Sequence, residues 1–123
     1  MTTTLDYTPY LRTARLRAQA KRSLTLSTER REKAWAAARR IAAFIKKQYP
    51  GARVRVFGSL LYPDSFGPKS DIDLAIEGVK WPDYLRIWSI IEKREPEFRI
   101  DLVDVGIVSE RLKKHIEHES LTL

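Results

Sequence analysis

Arg53-Val54-Arg55-Val56-Phe57-Gly58-Ser59 and, after a gap of eleven residues, Asp71-Ile72-Asp73-Leu74-Ala75-Ile76 form the stretch on which the reading of this chain turns. Charged and apolar residues alternate from Arg53 to Phe57, the period-two pattern of a strand with one buried face, and Gly58-Ser59 ends it. Asp71 to Ile76 alternates in the same way and predicts a second strand, closed by Glu77-Gly78. Residues two apart on a strand leave the same face with Cα atoms about 6.5–7 Å apart. Asp71 and Asp73 therefore project together, while Ile72, Leu74 and Ile76 face a core. Paired carboxylates repel unless a cation lies between them. Hard oxygen ligands of this kind favour Mg2+ or Mn2+ over zinc. A lone Asp-x-Asp would be read more simply as a solvated turn.

It does not stand alone. Phe98 to Val105 predicts a third strand, in which Asp101 interrupts an apolar run where a bare charge is expensive. Beside the Asp71/Asp73 strand and on the same face, Asp101 completes a three-carboxylate cluster able to hold two metal ions roughly 3.5–4 Å apart. Asp104 alternates onto the opposite face and is expected to cap a turn or pair at the surface. Gly58 has no Cβ, so a phosphate can come close to the backbone. The Ser59 hydroxyl and the N–H groups after it, at a helix start, would complete a small anion site. Gly-Ser alone is an ordinary turn; its weight comes from standing at a strand end just before the paired aspartates. Phosphate donors and metal ligands then meet at one end of a sheet.

Outward from this centre the chain reads as helices. Thr8-Pro9 predicts a cap with proline in the first turn, followed by Tyr7, Tyr10, Leu11, Ala14 and Ala18 at helical spacing. A break is expected around Ser23 to Ser27, with Ser27 capping a second helix that Pro50-Gly51 stops. Along it Trp35, Ala38, Ile41, Ala42, Ile45 and Tyr49 form one stripe that packs on the rest of the domain. The polar, proline-broken residues 60–70 read as a loop. Pro82 and Asp83 open a helix with Tyr84, Leu85, Trp88 and Ile91 on one face, and Ser109 caps a last helix with Leu112 and Ile116 inward. The order helix, helix, strand, strand, helix, strand, helix predicts an α/β (α+β) fold, a small mixed sheet backed by helices. Residues 1–50 form a basic helical extension and residues 51–123 the core.

Composition narrows the function classes. The 123 residues suit one domain, with 43% hydrophobic residues, five glycines and six prolines. The chain has no cysteine, which excludes disulfides and thiolate metal sites. No apolar run is long enough to cross a bilayer and the N-terminus lacks a signal-peptide core, so the expectation is a cytoplasmic protein with no membrane association. Between Tyr10 and Gln48 twelve Lys/Arg face two acids, so this segment carries +10 of the net +7 and the remainder −3. Such asymmetry points to an anionic partner.

The pattern Val56-Phe57-Gly58-Ser59, Ser70-Asp71-Ile72-Asp73-Leu74 and Ile100-Asp101-Leu102-Val103 resembles the MNT, or minimal nucleotidyltransferase, group of the DNA polymerase β superfamily. The resemblance covers roughly residues 51 to 123, and Leu112 to Leu121 is similar to that group's closing helix. It implies a polymerase-β-like nucleotidyltransferase fold, ATP as substrate and two Mg2+ ions. It places Gly58 and Ser59 on the triphosphate, Asp71 and Asp73 on both metals, and Asp101 as third ligand and base for the incoming hydroxyl. Two departures concern the loop: the gap before Asp71 is one residue longer than usual, and Tyr62-Pro63 replaces a common Arg-Gly.

Roughly 70 core residues leave no length for a separate acceptor-binding domain, so the acceptor is expected to arrive on another macromolecule or to bind over the open site. MNT proteins are commonly antitoxins of HEPN ribonuclease toxins and transfer AMP from ATP to a toxin tyrosine. The resemblance thus implies a hetero-oligomer with a cognate HEPN toxin, docked by the N-terminal helices. Two alternatives are an antitoxin that neutralises by binding alone and a nucleotidyltransferase acting on RNA or tRNA. The RNA reading is the weaker, because no aromatic-basic interleaving accompanies the charge. Lys69 and Arg55 suit a surface role as well as a phosphate contact, Trp35, Trp81 and Trp88 suit packing, and His115 and His118 suit the surface.

Overall fold

Thr8–Gln48 form one helix, α1, of 41 residues. The computed structural model describes the backbone of residues 8–123 and the side chains from Thr13 onward, Ser23 and Leu24 excepted. The break expected at Ser23 to Ser27 does not occur, nor does a helix start at Ser27. Neither glycine nor proline lies between Tyr10 and Tyr49, and hydroxyl-bearing residues disfavour a helix by only about 0.5 kcal/mol each. Thr25 also turns its hydroxyl back onto the Lys21 carbonyl at 3.0 Å, meeting its polar demand inside the helix. The expected Thr8 cap and the side chains of Tyr7, Tyr10 and Leu11 lie outside the described residues.

The two ends of α1 differ. Residues 13–22 are exposed on every side. Further on, Ala34, Ala37, Ala38, Ile41, Ala42 and Ile45 are buried, a stripe whose small alanines bring the helix close to the sheet. Trp35 and Tyr49 pack at its margin. Lys46 and Lys47 complement the helix dipole in the last turn, before the chain turns at Pro50-Gly51.

The sheet has four strands in the order β3-β2-β1-β4, formed by β1 (Arg53–Phe57), β2 (Ile72–Glu77), β3 (Ile100–Asp104) and β4 (Leu121–Thr122). β1 runs antiparallel to β2 and β4, and β2 runs parallel to β3. The parallel pair is linked through helix α2 (Trp81–Arg94), opened by proline in its first turn. Tyr84, Ile87 and Ile91 are its buried positions; Leu85, expected inward, is half exposed and Ile87 takes its place. The Tyr84 hydroxyl donates to the Leu102 carbonyl, tying α2 to β3. Helix α3 (Glu110–His118) starts at Ser109, whose hydroxyl accepts from the Leu112 N–H at 3.2 Å, as expected.

One face of the sheet, with Val54, Val56, Ile72, Leu74, Ile76, Ile100 and Leu102, belongs to the main core with α1 and α2. On the other, Phe57, Ala75 and Val105 pack against Ile116 of α3, with Val103 and Leu112 at the edge. This is the α+β architecture read from the sequence, with one strand more. The short β4 was not expected.

Candidate active site

The register of the sheet assembles the site. Phe57, the last residue of β1, stands opposite Asp73 on β2, and Asp73 is the register partner of Asp101 on β3. Residues in register on neighbouring strands leave the same face about 4.8 Å apart. Asp73 and Asp101 therefore rise side by side where Gly58 and Ser59 leave β1. Asp71 sits one residue before β2, whose first N–H, on Ile72, donates to the Arg99 carbonyl at 2.9 Å.

Gly58 has a φ of +76°, which favours glycine. A Cβ built there would lie 2.2 Å from Asp73 Oδ2. The backbone thus runs close against a carboxylate, which a side chain at this position would have to push aside. Ser59 follows in a single 3-10 turn, Gly58–Leu61, rather than at the start of a longer helix.

The carboxylates sense one another. Asp73 is half-buried, and its carboxyl is pushed up from 3.8 to about 6, first by burial, then by the charges of Asp101 and Asp71. Asp101 is exposed and Asp71 half-buried. Arg99 approaches Asp71, Nε to Oδ2 at 3.9 Å, from an exposed side chain. Among the described residues no three His, Asp or Glu side chains converge closely enough to hold a metal ion as they stand. The donor set nevertheless suits a hard divalent cation. It is all carboxylate oxygen, and it carries repulsion that such an ion would relieve. A cavity of about 370 Å3 adjoins the cluster, lined by Asp71, Asp101, Arg99, Trp88, Glu92 and Phe98 among others.

Residues outside the expected set also brace the surroundings of these carboxylates. The Tyr62 hydroxyl meets Glu119 Oε2 at 3.1 Å, joining the loop after Ser59 to the end of α3. That bond holds the Tyr62 phenol above its ordinary range. Arg31 and Arg30 of α1 donate to the carbonyls of Leu60 and Gly67 at 3.1 and 3.3 Å. Asp104 serves as expected, its Oδ1 accepting from the Gly106 N–H at 2.9 Å. A second cavity, of about 310 Å3 between α1 and α2, contains none of the site aspartates. Its buried Glu95 is already held through both oxygens by Arg40.

The nucleotidyltransferase domain family matches residues 38–122, taking in the end of α1, the whole sheet and α3. No curated protein sequence matches. Two solved structures share the fold. One is a crystal structure of the toxin-antitoxin MntA-HepT, with a TM-score of 0.53, 16% identity and coverage of 72% of this chain and 69% of that one. The other is a crystal structure of a toxin-antitoxin with AMP-PNP, with a TM-score of 0.57, 22% identity and coverage of 69% and 70%. The family's span takes in Gly58, Ser59, Asp71, Asp73 and Asp101, and it covers more than half of the sequence: the chain belongs to the nucleotidyltransferase domain family.

Proposed function

We propose that this chain is an Mg2+-dependent adenylyltransferase that serves as the antitoxin of a HEPN toxin, transferring AMP from ATP to a tyrosine of that toxin. The observation that carries the proposal is the register pairing of Asp73 with Asp101 beside Gly58, within a nucleotidyltransferase domain. The toxin and the nucleotide are suggested by the two structural neighbours, one an MntA-HepT toxin-antitoxin and one a toxin-antitoxin with AMP-PNP.

In this reading Gly58 and Ser59 receive the triphosphate and Asp71, Asp73 and Asp101 hold two Mg2+ ions. Bound divalent cations would supply charge neutralisation for the phosphates and for the departing pyrophosphate. Asp101, the most exposed of the three carboxylates, accepts the phenolic proton as the tyrosine oxygen attacks the α-phosphorus. The bond to the pyrophosphate oxygen breaks as the new P–O bond forms. The extension of residues 1–50 docks the toxin through its exposed basic stretch, and residues 51–123 carry the chemistry. No helix among the described residues is long and apolar enough to cross a membrane, and a cytoplasmic site of action is part of the proposal.

Incubation with α-labelled ATP, Mg2+ and the cognate toxin tests it. Label is expected on the toxin with the wild type and not with Asp71→Asn/Asp73→Asn, and mass spectrometry should find it on tyrosine. Neutralisation by binding alone is the second reading, favoured by the altered Tyr62-Pro63 loop. Full protection of cells by Asp73→Asn would establish it and sink the enzymatic account. Label on RNA would instead point to an RNA acceptor, held by exposed cations such as Arg15, Arg17, Lys21 and Arg22.

A further inference from the structure

The 3-10 turn that carries Ser59 has a defect written into its sequence. In such a turn each carbonyl accepts from the N–H three residues on. The Ser59 carbonyl does so, taking the Tyr62 N–H at 3.1 Å. The next carbonyl is that of Leu60, and the residue three further on is Pro63, which has no N–H to give and favours the extended Tyr62 (φ −117°, ψ 113°) at which the turn stops. Leu60 is fully buried, so water is a poor substitute. The missing donor comes from 29 residues away in sequence: Arg31 Nε, on α1, lies 3.1 Å from the Leu60 carbonyl oxygen. Arg30 beside it reaches the Gly67 carbonyl at 3.3 Å, with its guanidinium carbon 4.8 Å from the centre of the Phe98 ring.

We infer that Arg31 is a positioning residue for the triphosphate-binding turn, replacing the hydrogen bond that Pro63 cannot make. The turn has little latitude, because Gly58 already abuts the Asp73 carboxylate. Rotation of the Leu60 peptide would carry Ser59 with it and change where a phosphate could sit. The functional consequence rests on the nucleotidyl-transfer reading above. The bond itself does not, so the two can fail separately.

A double-mutant cycle tests the inference. Arg31→Met keeps the aliphatic stem beside Trp35 but has no donor, and Pro63→Ala both restores a backbone N–H and frees Tyr62 to continue the turn. Amide hydrogen exchange over residues 59–62 is measured on both single variants, on the double variant and on the wild type, together with KM and kcat for MgATP. Arg31→Met is expected to speed exchange in the turn about tenfold, leave the amides of β2 unchanged, and raise KM for MgATP more than it lowers kcat. In the Pro63→Ala background the same substitution should alter exchange and KM by no more than about twofold. Equal loosening in both backgrounds, or a lower Tm with unchanged exchange in the turn, would overturn the inference. If Arg31→Met does not fold, Arg31→Lys replaces it, with a smaller loosening that Pro63→Ala again removes. Absence of MgATP turnover by the wild type would remove the functional reading, and the exchange data alone would then decide the role of Arg31.

Discussion

Gly58 and Gly78 lie at opposite ends of the β1–β2 pair and both hold positive φ, +76° and +86°, yet they do different work. A Cβ at Gly78 would come within 2.7 Å of the Gly51 carbonyl oxygen, so that glycine lets two stretches of backbone pass. A Cβ at Gly58 would meet the side chain of Asp73 instead. Tight packing at the Gly78 end serves the fold. At the Gly58 end the backbone closes on a carboxylate that already suffers burial and two like charges, an arrangement that disfavours the isolated fold. Electrostatic cost kept at one end of a well-packed sheet marks that end as the one with a task.

Asp73→Asn should break the comparison most sharply. It removes a charge the fold does not need, so nucleotidyl transfer is expected to fall about 1,000-fold, or ~4 kcal/mol of transition-state stabilisation. Thermal stability near neutral pH should be unchanged or higher. Transfer within about tenfold of wild type would show that the carboxylate end is not the reaction centre. Exchanging the glycines for alanine comes next. Both variants carry an unfavourable φ, costing about 1–2 kcal/mol. Gly78→Ala should lose more in Tm, because its obstacle is backbone, and keep its affinity for MgATP. Gly58→Ala should lose less in Tm but weaken MgATP binding about tenfold or more, as read by calorimetry. Equal losses of both kinds in the two variants would erase the distinction.

The smallest effect is a pH slope. Between 3.8 and about 6 the folded chain holds a proton on Asp73 that the unfolded chain has released. Stability of the metal-free protein should therefore fall as pH rises through that window and level off above it. Mg2+ needs the ionised carboxylate, so the rise in Tm on adding Mg2+ should grow over the same interval. Thermal melts in EDTA and in Mg2+ across the window check both signs, and Asp73→Asn should flatten both curves.

The candidate site is more legible in the sequence than the residues packed around it. Gly58, Asp71, Asp73 and Asp101 stand out because each violates a local expectation, a charge in an apolar run or a glycine at a strand end. Arg31 is one cation among many on α1, and nothing near it in sequence announces the Leu60 carbonyl. Tyr62 with Glu119 and Arg40 with Glu95 are likewise separated by 57 and 55 residues. Pro63 was visible as a departure, but the carbonyl it leaves without a partner needs the turn to be seen. α1 runs on through Ser23 to Ser27 because serine and threonine cap a helix only where their hydroxyls turn to free N–H groups; Thr25 turns back to a carbonyl instead. The two residues of β4 are too few for any period.

By itself the sequence determined what near neighbours decide: the alternating strands, the alanine-rich stripe of α1, the cap at Ser109, and the common face of Asp71 and Asp73. Only the tertiary structure decided that Asp73 pairs with Asp101 and stands opposite Phe57, and that α1 lends its guanidiniums to the loop that follows Gly58. The physical reason is range. Periodicity and capping are settled over a few residues, whereas register is settled by the simultaneous burial of whole faces, where a slip of one residue in β2 would turn Asp73 inward.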